Sequence, residues 1–257
     1  MQAPSASELL EVWERARAQP VATQALMLLE AASPDSRGEE LSKLSVGRRD
    51  GRLLALREAL FGARLTGITA CPQCGQQLEL GIHVSELRAP GQRTTGQHDG
   101  PETLSVRHGR YVATFRLPNS EDLAALGERA VSNSEKEAIS DLLSLCLIEL
   151  RRNGRRQKQD GPLAMPCELI EAIAAEMEKA DPQANVQLKL SCADCGHQWL
   201  SAFDIVSFLW NEIDNWARRV IHEVCVLASA FGWREAEILA MSAQRRQMYL
   251  QLLGETA

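Results

Sequence analysis

The sequence predicts an α+β fold that is mostly helical, with a few short antiparallel hairpins. Three observations support this prediction. Apolar residues recur every three or four positions through most of the chain, which is the period of an amphipathic helix. A few short segments instead alternate apolar and polar residues, as half-buried strands do. Finally, two Cys-x-x-Cys-Gly motifs stand beside alternating segments, which places each motif at the tip of a hairpin.

The composition is that of an ordinary globular chain. Of 257 residues, 45% are hydrophobic and 24% are charged. The net charge of −6 and the isoelectric point near 5.5 argue against a protein that binds nucleic acid by bulk electrostatics. We see no secretory signal at the start, and charges interrupt every apolar stretch before it reaches membrane-spanning length. We therefore expect a cytoplasmic protein with no membrane partner and with reduced cysteines.

Residues 1–62 are predicted to form the N-terminal helices. Ser5 and Glu8 have the spacing of a capping box for the first helix, and Pro20 opens the second. After a loop, a third helix is marked by leucines at helical spacing, Leu53, Leu56 and Leu60. Gly62 is expected to end this helix.

The pattern then changes to that of strands and loops. Residues 78–84 alternate and predict a strand, whereas residues 87–103 are rich in Gly, Pro, Thr and Gln and predict a flexible loop. Two further alternating segments around a turn at 108–109 predict a β-hairpin. Asn119 is expected to cap the helix that begins after Pro118.

The region 104–182 is predicted to hold this hairpin and the central helices. One segment is apolar on several faces and favours a buried helix with Ile139, Leu142, Leu143, Cys146 and Leu150. A basic stretch from 151 to 160 is expected to break that helix as a loop. Pro166 begins a further helix that ends before Pro182.

Residues 203–257 are predicted to form the C-terminal helices. The first of them has the most regular apolar stripe in the chain, made by Ile205, Leu209, Ile213, Trp216, Val220, Val224 and Leu227. Gly232 is expected to end this helix, and Ser242 is expected to cap a short final helix.

The two cysteine pairs are the one chemically specific pattern. Cys71 and Cys74, and again Cys192 and Cys195, are separated by two residues and followed by glycine. This spacing lets both thiolates of a pair turn onto one ion, and the glycine allows the tight turn. Because zinc prefers four tetrahedral thiolates, the sequence predicts one structural Zn²⁺ held by all four cysteines.

The cysteine pairs lie far apart, with residues 75–191 between them. The predicted zinc ribbon is therefore split into halves at 63–86 and 186–202, with the central helices inserted between them. Such a long closure is tolerated because its entropic cost grows only with the logarithm of the loop length. The prediction is a single intertwined domain over residues 1–257, which the metal clamps together.

Other uses of the cysteines fit the sequence less well. A thioredoxin-like redox motif needs a helix after Cys74, where a strand is predicted. A catalytic zinc site keeps an open position, so His197 is expected to lie beside the thiolates and not to replace one. The remaining cysteines are expected to be core residues, namely Cys146, Cys167 and Cys225.

The basic residues between 151 and 158, His222 and Trp216 are each interpreted as parts of the fold. The basic residues between 151 and 158 are expected to form a solvated loop, with contacts to phosphates or to an acidic protein as the alternative. His222 has no second histidine four residues later, so no metalloprotease helix is predicted. Trp216 falls on the apolar stripe and is expected in the core, whereas Trp210 lies off it and is the better contact candidate.

Several segments together carry a family resemblance: residues 44–50 (LSVGRRD), 53–58 (LLALRE), 61–62 (FG), 115–123 (FRLPNSEDL), 208–213 (FLWNEI) and 233–239 (WREAEIL). They resemble the T4-type phage baseplate protein family, of the hub or assembly type, as found in bacterial contractile injection system clusters. The resemblance implies a non-enzymatic role in the baseplate, with other baseplate or tail proteins as partners. The cysteine pairs are not a defining feature of the phage members, so the zinc prediction depends on their spacing alone.

Three functions remain open at this point. The first is a zinc-stapled structural or assembly protein for the baseplate of a contractile injection system. The second is a zinc-ribbon nucleic-acid-binding or regulatory protein, which the acidic total charge disfavours. The third is a zinc enzyme, which needs an exchangeable water in place of one thiolate. Because no nucleophile–base pair, phosphate loop or carboxylate pair stands out, we predict no catalytic residues and no small-molecule substrate.

Overall fold

The structure is a computed structural model that describes residues 2–33, 38–89, 103–129, 135–157 and 165–254. These residues form an α+β fold that is mostly helical, as predicted. Within them, no helix combines the length and the hydropathy that crossing a membrane requires. Most of the predicted loop 87–103 lies outside the described residues, as do Lys158 and Asp160 of the basic stretch.

Four helices open the chain: α1 (Ala6–Ala16), α2 (Val21–Ala32), α3 (Gly38–Ser42) and α4 (Val46–Phe61). The predicted capping box is present, with the Ser5 backbone N–H donating to the Glu8 carboxylate at 2.7 Å. Helix α4 ends at Gly62 as predicted, but it begins well before its leucines. It does so because the Ser45 hydroxyl accepts the Arg48 N–H and caps the first turn.

The first hairpin follows directly on α4. Strand β1 (Arg64–Ala70) pairs antiparallel with β2 (Gln77–His83), and the single turn α5 (Val84–Leu87) follows. Alternate side chains of β2 are half-buried, as the predicted alternation requires. Leu65, Val84 and Leu87 belong to the main core, so the base of the hairpin is anchored in it.

The chain then builds a four-stranded antiparallel sheet in the order β3 (Thr103–His108), β4 (Tyr111–Arg116), β5 (Leu147–Arg152) and β6 (Arg155–Arg156). Three helices accompany it: α6 (Ser120–Arg129), α7 (Glu135–Cys146) and α8 (Cys167–Ala180). Phe115 of the sheet packs with Leu143 and Leu169 from α7 and α8 in a second core. Asn119 caps α6 as predicted, since its side-chain oxygen accepts the Asp122 N–H at 3.0 Å.

Three predictions for this region are wrong. The buried helix was expected to continue through Leu150, but α7 ends at Cys146 and the next residues form β5, because they pair with β4. Ile139, expected to be buried on this helix, is 43% exposed. The basic stretch is a β5–β6 hairpin and not a loop, and it turns at Asn153 and Gly154, with φ of 52° and 77°.

The second cysteine hairpin returns the chain to the helical core. It follows α8 and a 3₁₀ turn (Pro182–Ala184) and consists of β7 (Gln187–Ser191) and β8 (Gln198–Ala202). Leu188 packs against the main core. The four-stranded sheet and its helices are therefore an insertion. The chain leaves the main core after the first cysteine hairpin and returns to it through the second.

The long helix α9 (Ile205–Phe231) packs with α1, α2 and α4 in the main core and ends at the left-handed Gly232. Trp216 was expected in the buried stripe of this helix, but the stripe passes through Ala217 instead. Trp216 is therefore only half-buried. Trp210 is likewise half-buried against the main core. A side-chain pair fixes α9 to α4: Arg57 donates to both carboxylate oxygens of Glu212, at 2.8 and 2.7 Å.

Two short helices end the described chain, α10 (Glu235–Leu239) and α11 (Ala243–Leu252), the latter capped by Ser242 as predicted. They cover the end of α9 around a small third core of Leu227, Ile238 and Leu250. Arg246 of α11 forms an ion pair with Glu223 of α9 at 2.8 Å, with both side chains almost completely buried. No local sequence pattern indicated this pair, because its two residues lie on different helices.

Candidate metal centre

The first cysteine pair stands at the tip of the β1–β2 hairpin. Strand pairing continues up to Ala70 and Gln77, immediately beside the cysteines. The Cys71 N–H donates to the Gln76 carbonyl, and the Gly75 N–H donates to the Cys71 carbonyl, both at 2.9 Å. Gly75 has a φ of 76°, a conformation that glycine adopts without strain.

The second cysteine pair repeats this geometry at the tip of the β7–β8 hairpin. The Cys192 N–H donates to the His197 carbonyl at 2.9 Å, and the Gly196 N–H donates to the Cys192 carbonyl at 3.0 Å. Gly196 has a φ of 71°, close to that of its counterpart in the first hairpin. The Cys-x-x-Cys-Gly motif therefore produces the same tight turn in both places.

The fold brings the sulfur atoms of the two hairpin tips together. The Cys71 and Cys195 sulfurs lie 3.7 Å apart, and so do the Cys74 and Cys192 sulfurs. All four sulfurs lie within 4.8 Å of one another. A tetrahedron with zinc–sulfur bonds of about 2.3 Å has edges of about 3.8 Å, which the two 3.7 Å separations match. A disulfide requires about 2.05 Å, so the four sulfurs are not bonded to one another.

The centre has a buried side and an exposed side. Cys71 and Cys192 are each 2% exposed, whereas Cys74 and Cys195 are exposed to solvent. Each pair contributes one sulfur to each side. This arrangement holds two sulfurs rigidly in the protein and leaves the other two open to an incoming ion.

The thiols titrate unequally. Burial opposes ionisation of Cys71, but the N–H groups of Cys74 and Gln73 donate to its sulfur and lower its pKa to about 7. At Cys74 the Gln76 N–H favours the thiolate, but partial loss of hydration and the three neighbouring sulfurs raise the pKa to about 12. Four thiolates this close repel one another, and a divalent cation between them removes that repulsion.

The donor set fits a closed structural metal site. Four sulfurs complete a tetrahedral shell, whereas a catalytic zinc keeps one position for water. His197 does not join the cluster, and its ring stacks on Trp199 with centroids 5.8 Å apart. After Cys74 the chain enters β2 and not a helix, which is not the arrangement of a redox Cys-x-x-Cys motif.

The other cysteines are placed differently from one another. Cys146 is buried, as predicted for a core residue, and burial followed by the nearby Asp122 charge raises its pKa to about 12. Cys167 and Cys225 are exposed, so their prediction as core residues is wrong. Both lie in helices whose buried face does not include them. A shift of one position along a helix turns a side chain by about 100°, which is enough to move it from the buried face to the exposed one.

A comparison with known protein families matches residues 23–210 to the family of the T4 bacteriophage base plate protein. The chain belongs to this family. The match includes both cysteine pairs and the resembling segments from 44 to 123, and it ends within the segment 208–213; residues 233–239 lie beyond it. No curated protein and no solved structure matches the chain.

Two of the segments that resemble the base plate family form a joint between the main core and the inserted sheet. LSVGRRD meets FRLPNSEDL, where the Val46 N–H donates to the Pro118 carbonyl at 3.0 Å. Arg49, which is 5% exposed, donates to the Ser120 hydroxyl at 3.4 Å. These segments therefore hold two parts of the fold in register.

Gly47 lies at the centre of this joint in the base plate fold. Its N–H donates to the Asp181 carboxylate at 2.8 Å, which ties the start of α4 to the end of α8. A methyl group at this position would overlap Asp181 and lie 2.7 Å from the Ala184 backbone nitrogen. The glycine is required here for close approach of two backbones and not for a phosphate loop.

Proposed function

We propose that this base plate family member is a non-enzymatic structural or assembly protein for the baseplate of a phage-tail-like contractile injection system. The family match over residues 23–210 is the observation that carries the proposal. Two of the recognisable segments, 44–50 and 115–123, hold parts of the fold together, which supports a structural role for them. Other baseplate or tail proteins are the proposed partners, and no small-molecule substrate is invoked.

We further propose that Cys71, Cys74, Cys192 and Cys195 bind one structural Zn²⁺. The separations of their sulfurs and the two identical hairpin tips support this role. Strand β1 leaves the end of α4, and β8 leads into α9, so the ion would close the end of this helix pair. It would thereby hold the two hairpins and the insertion between them in a single intertwined domain over residues 1–257.

The proposed location is the cytoplasm of the producing cell, with incorporation into the assembled particle. In that compartment thiols stay reduced and available to a metal. This suits a site with four free cysteine sulfurs.

The test of the function is deletion of the gene in a producing strain, followed by electron microscopy of the particles. We expect sheathed particles to be lost and to return when the gene is supplied on a plasmid. Tagged protein should also recover sheath, tube or baseplate components. Normal particles in the deletion strain, or a pull-down without any such component, would overturn the proposal.

The test of the metal is elemental analysis of the purified protein together with cobalt substitution. We expect about one zinc per chain and a cobalt spectrum typical of four thiolates in a tetrahedron. A spectrum with an oxygen or nitrogen ligand would instead favour a zinc enzyme with an exchangeable water. Absence of a sulfur-rich site would remove the zinc proposal.

The second candidate function is a zinc-ribbon nucleic-acid-binding or regulatory protein. The specific observation in its favour is the arginine-rich end of the four-stranded sheet. This reading predicts salt-dependent binding of DNA or RNA by the purified protein. Titrations that stay flat at low salt would eliminate it.

A further inference from the structure

One end of the four-stranded sheet carries a dense group of basic residues, here called the basic tip, all of which are exposed except the half-buried Arg152. It consists of Arg107, His108, Arg110, Arg151, Arg152, Arg155 and Arg156. They come from the two turns β3–β4 and β5–β6, which lie next to each other. The Asn153 N–H of one turn donates to the Arg110 carbonyl of the other at 2.8 Å, which connects the two turns directly.

The strand register gathers the basic residues into two rows across the sheet. One row consists of His108, Tyr111, Arg152 and Arg155. The next row consists of Arg107, Val112, Arg151 and Arg156. Because successive residues of a strand point to opposite faces, the two rows place positive charge on both faces of the sheet end.

This arrangement has an internal cost. In the β5–β6 hairpin, Arg151 stands directly opposite Arg156, and Arg152 directly opposite Arg155. Like charges in directly opposed positions destabilise an antiparallel pair. Conflicts of this kind between local preference and fold are typical of functional surfaces, where a partner relieves them.

Little negative charge compensates the basic tip within the chain. Among the ion pairs of the described residues, Glu149 is the one carboxylate that reaches the tip, at 3.0 Å from Arg151 and 3.6 Å from Arg156. Arg110 and Arg152 instead lie over the ring of Tyr111, each 5.6 Å from its centroid. The shared ring holds two guanidinium groups in place, which lowers the entropy lost when they bind an anion.

We propose that the basic tip is a docking site for an acidic protein surface, whose Asp and Glu side chains pair with the arginines. Apart from His108, the basic tip consists of six arginines. A planar guanidinium group can donate two parallel hydrogen bonds to one carboxylate. The tip is confined to one sheet end of a chain with a net charge of −6, which repels a duplex nucleic acid more strongly than an acidic polypeptide of lower charge density. The identification of the partner as a protein of the particle rests on the proposed function.

The direct test uses the purified protein and two labelled probes, poly-L-glutamate and a short DNA duplex, at low salt. The variant replaces Arg110, Arg152, Arg155 and Arg156 with glutamine. A matched control replaces four exposed arginines of other elements with glutamine, namely Arg15, Arg64, Arg219 and Arg245. Both variants change the net charge equally, so a difference between them reports the location of the charge.

We expect wild-type protein and the control to bind poly-L-glutamate more tightly than the duplex. The tip variant should bind poly-L-glutamate about tenfold more weakly, because four exposed ion pairs are lost together. Equal binding by the two variants would overturn the proposal, and so would tighter binding of the duplex than of poly-L-glutamate. Because no baseplate component is used, this outcome is independent of whether the proposed function is correct.

A second experiment places the same variants in the deletion strain. We expect the control to restore particles, whereas the tip variant folds with its metal but fails to enter them. Restoration by the tip variant at wild-type levels would contradict docking through this surface, and it would leave the proposed baseplate role in place.

Discussion

The cysteine centre and the basic tip both crowd groups of like charge, but their geometries are opposite. At the cysteine centre four sulfurs converge to within 4.8 Å, so a single ion inside the protein can satisfy all of them. At the basic tip the arginines lie on two faces of a sheet end, where Glu149 pairs with Arg151 and Arg156 and a partner can supply the remaining negative charge. Convergent charge therefore indicates an internal staple, and divergent charge indicates a contact with a partner.

The strongest test of this contrast is removal of one sulfur. Cys71→Ser should abolish stoichiometric zinc and lower the melting temperature by about 10 °C or more, because the metal contributes directly to folding. Metal content and thermal unfolding measure both effects. The exposed Cys225→Ser is the control and should change neither. A Cys71→Ser protein with wild-type zinc and stability would show that the staple is absent.

A smaller effect is expected from the ion pair between the helices that carry the hairpins. Arg57 is nearly buried and donates to both oxygens of Glu212, so Arg57→Met leaves that carboxylate without its partner. The free energy of unfolding should fall by about 3 kcal/mol, while zinc content stays unchanged. Urea unfolding against the exposed control Arg15→Met measures this loss. Concurrent loss of zinc would mean that the metal does not bind independently of this helix contact.

Repulsion between like charges can also be relieved when one of the groups binds a proton, and Asp50 is the example in this chain. Burial, together with the nearby Asp204 and Asp181, raises its pKa from 3.8 to about 6 despite the opposing effect of Arg49. Its contribution to stability is therefore present below about pH 4 and is lost as the pH rises through about 6.

Asp50→Asn keeps this side chain neutral at every pH. Relative to wild type, the variant should gain stability between pH 4 and pH 6, by at most about 3 kcal/mol, and keep that gain at higher pH. Urea unfolding over this range measures the difference. The exposed Glu14→Gln is the control for removal of one carboxylate from the chain. A constant difference between Asp50→Asn and wild type would contradict the raised pKa.

The smallest effect on stability is expected at the basic tip. Arg155→Thr removes one directly opposed arginine pair and should change the free energy of unfolding by less than about 1 kcal/mol, in the stabilising direction. Binding to poly-L-glutamate should nevertheless weaken. Destabilisation by several kcal/mol would show that Arg155 supports the fold, and the contrast with the cysteine centre would then disappear.

Much of the fold and of the metal centre could be predicted because the signals are local. Capping residues such as Ser5, Asn119 and Ser242 act within one turn of their helices, and all three act as predicted. The Cys-x-x-Cys-Gly motif likewise specifies its own turn, as the equal hydrogen bonds of the two tips show. Structure that depends on interactions within four or five residues can therefore be predicted from the sequence alone.

Features that depend on distant partners were decided by the tertiary structure. Residues 147–152 have the composition of a helix end, but pairing with β4 makes them a strand, and pairing with β6 makes residues 151–156 part of a hairpin. The exposure of Cys167 and Cys225 depends on which neighbours cover their helices. Local patterns in the sequence were enough to predict the two Cys-x-x-Cys-Gly turns and the main helices of both ends of the chain. Their meeting, and the gathering of the arginines at one sheet end, required long-range packing, because no interaction between near neighbours encodes either one.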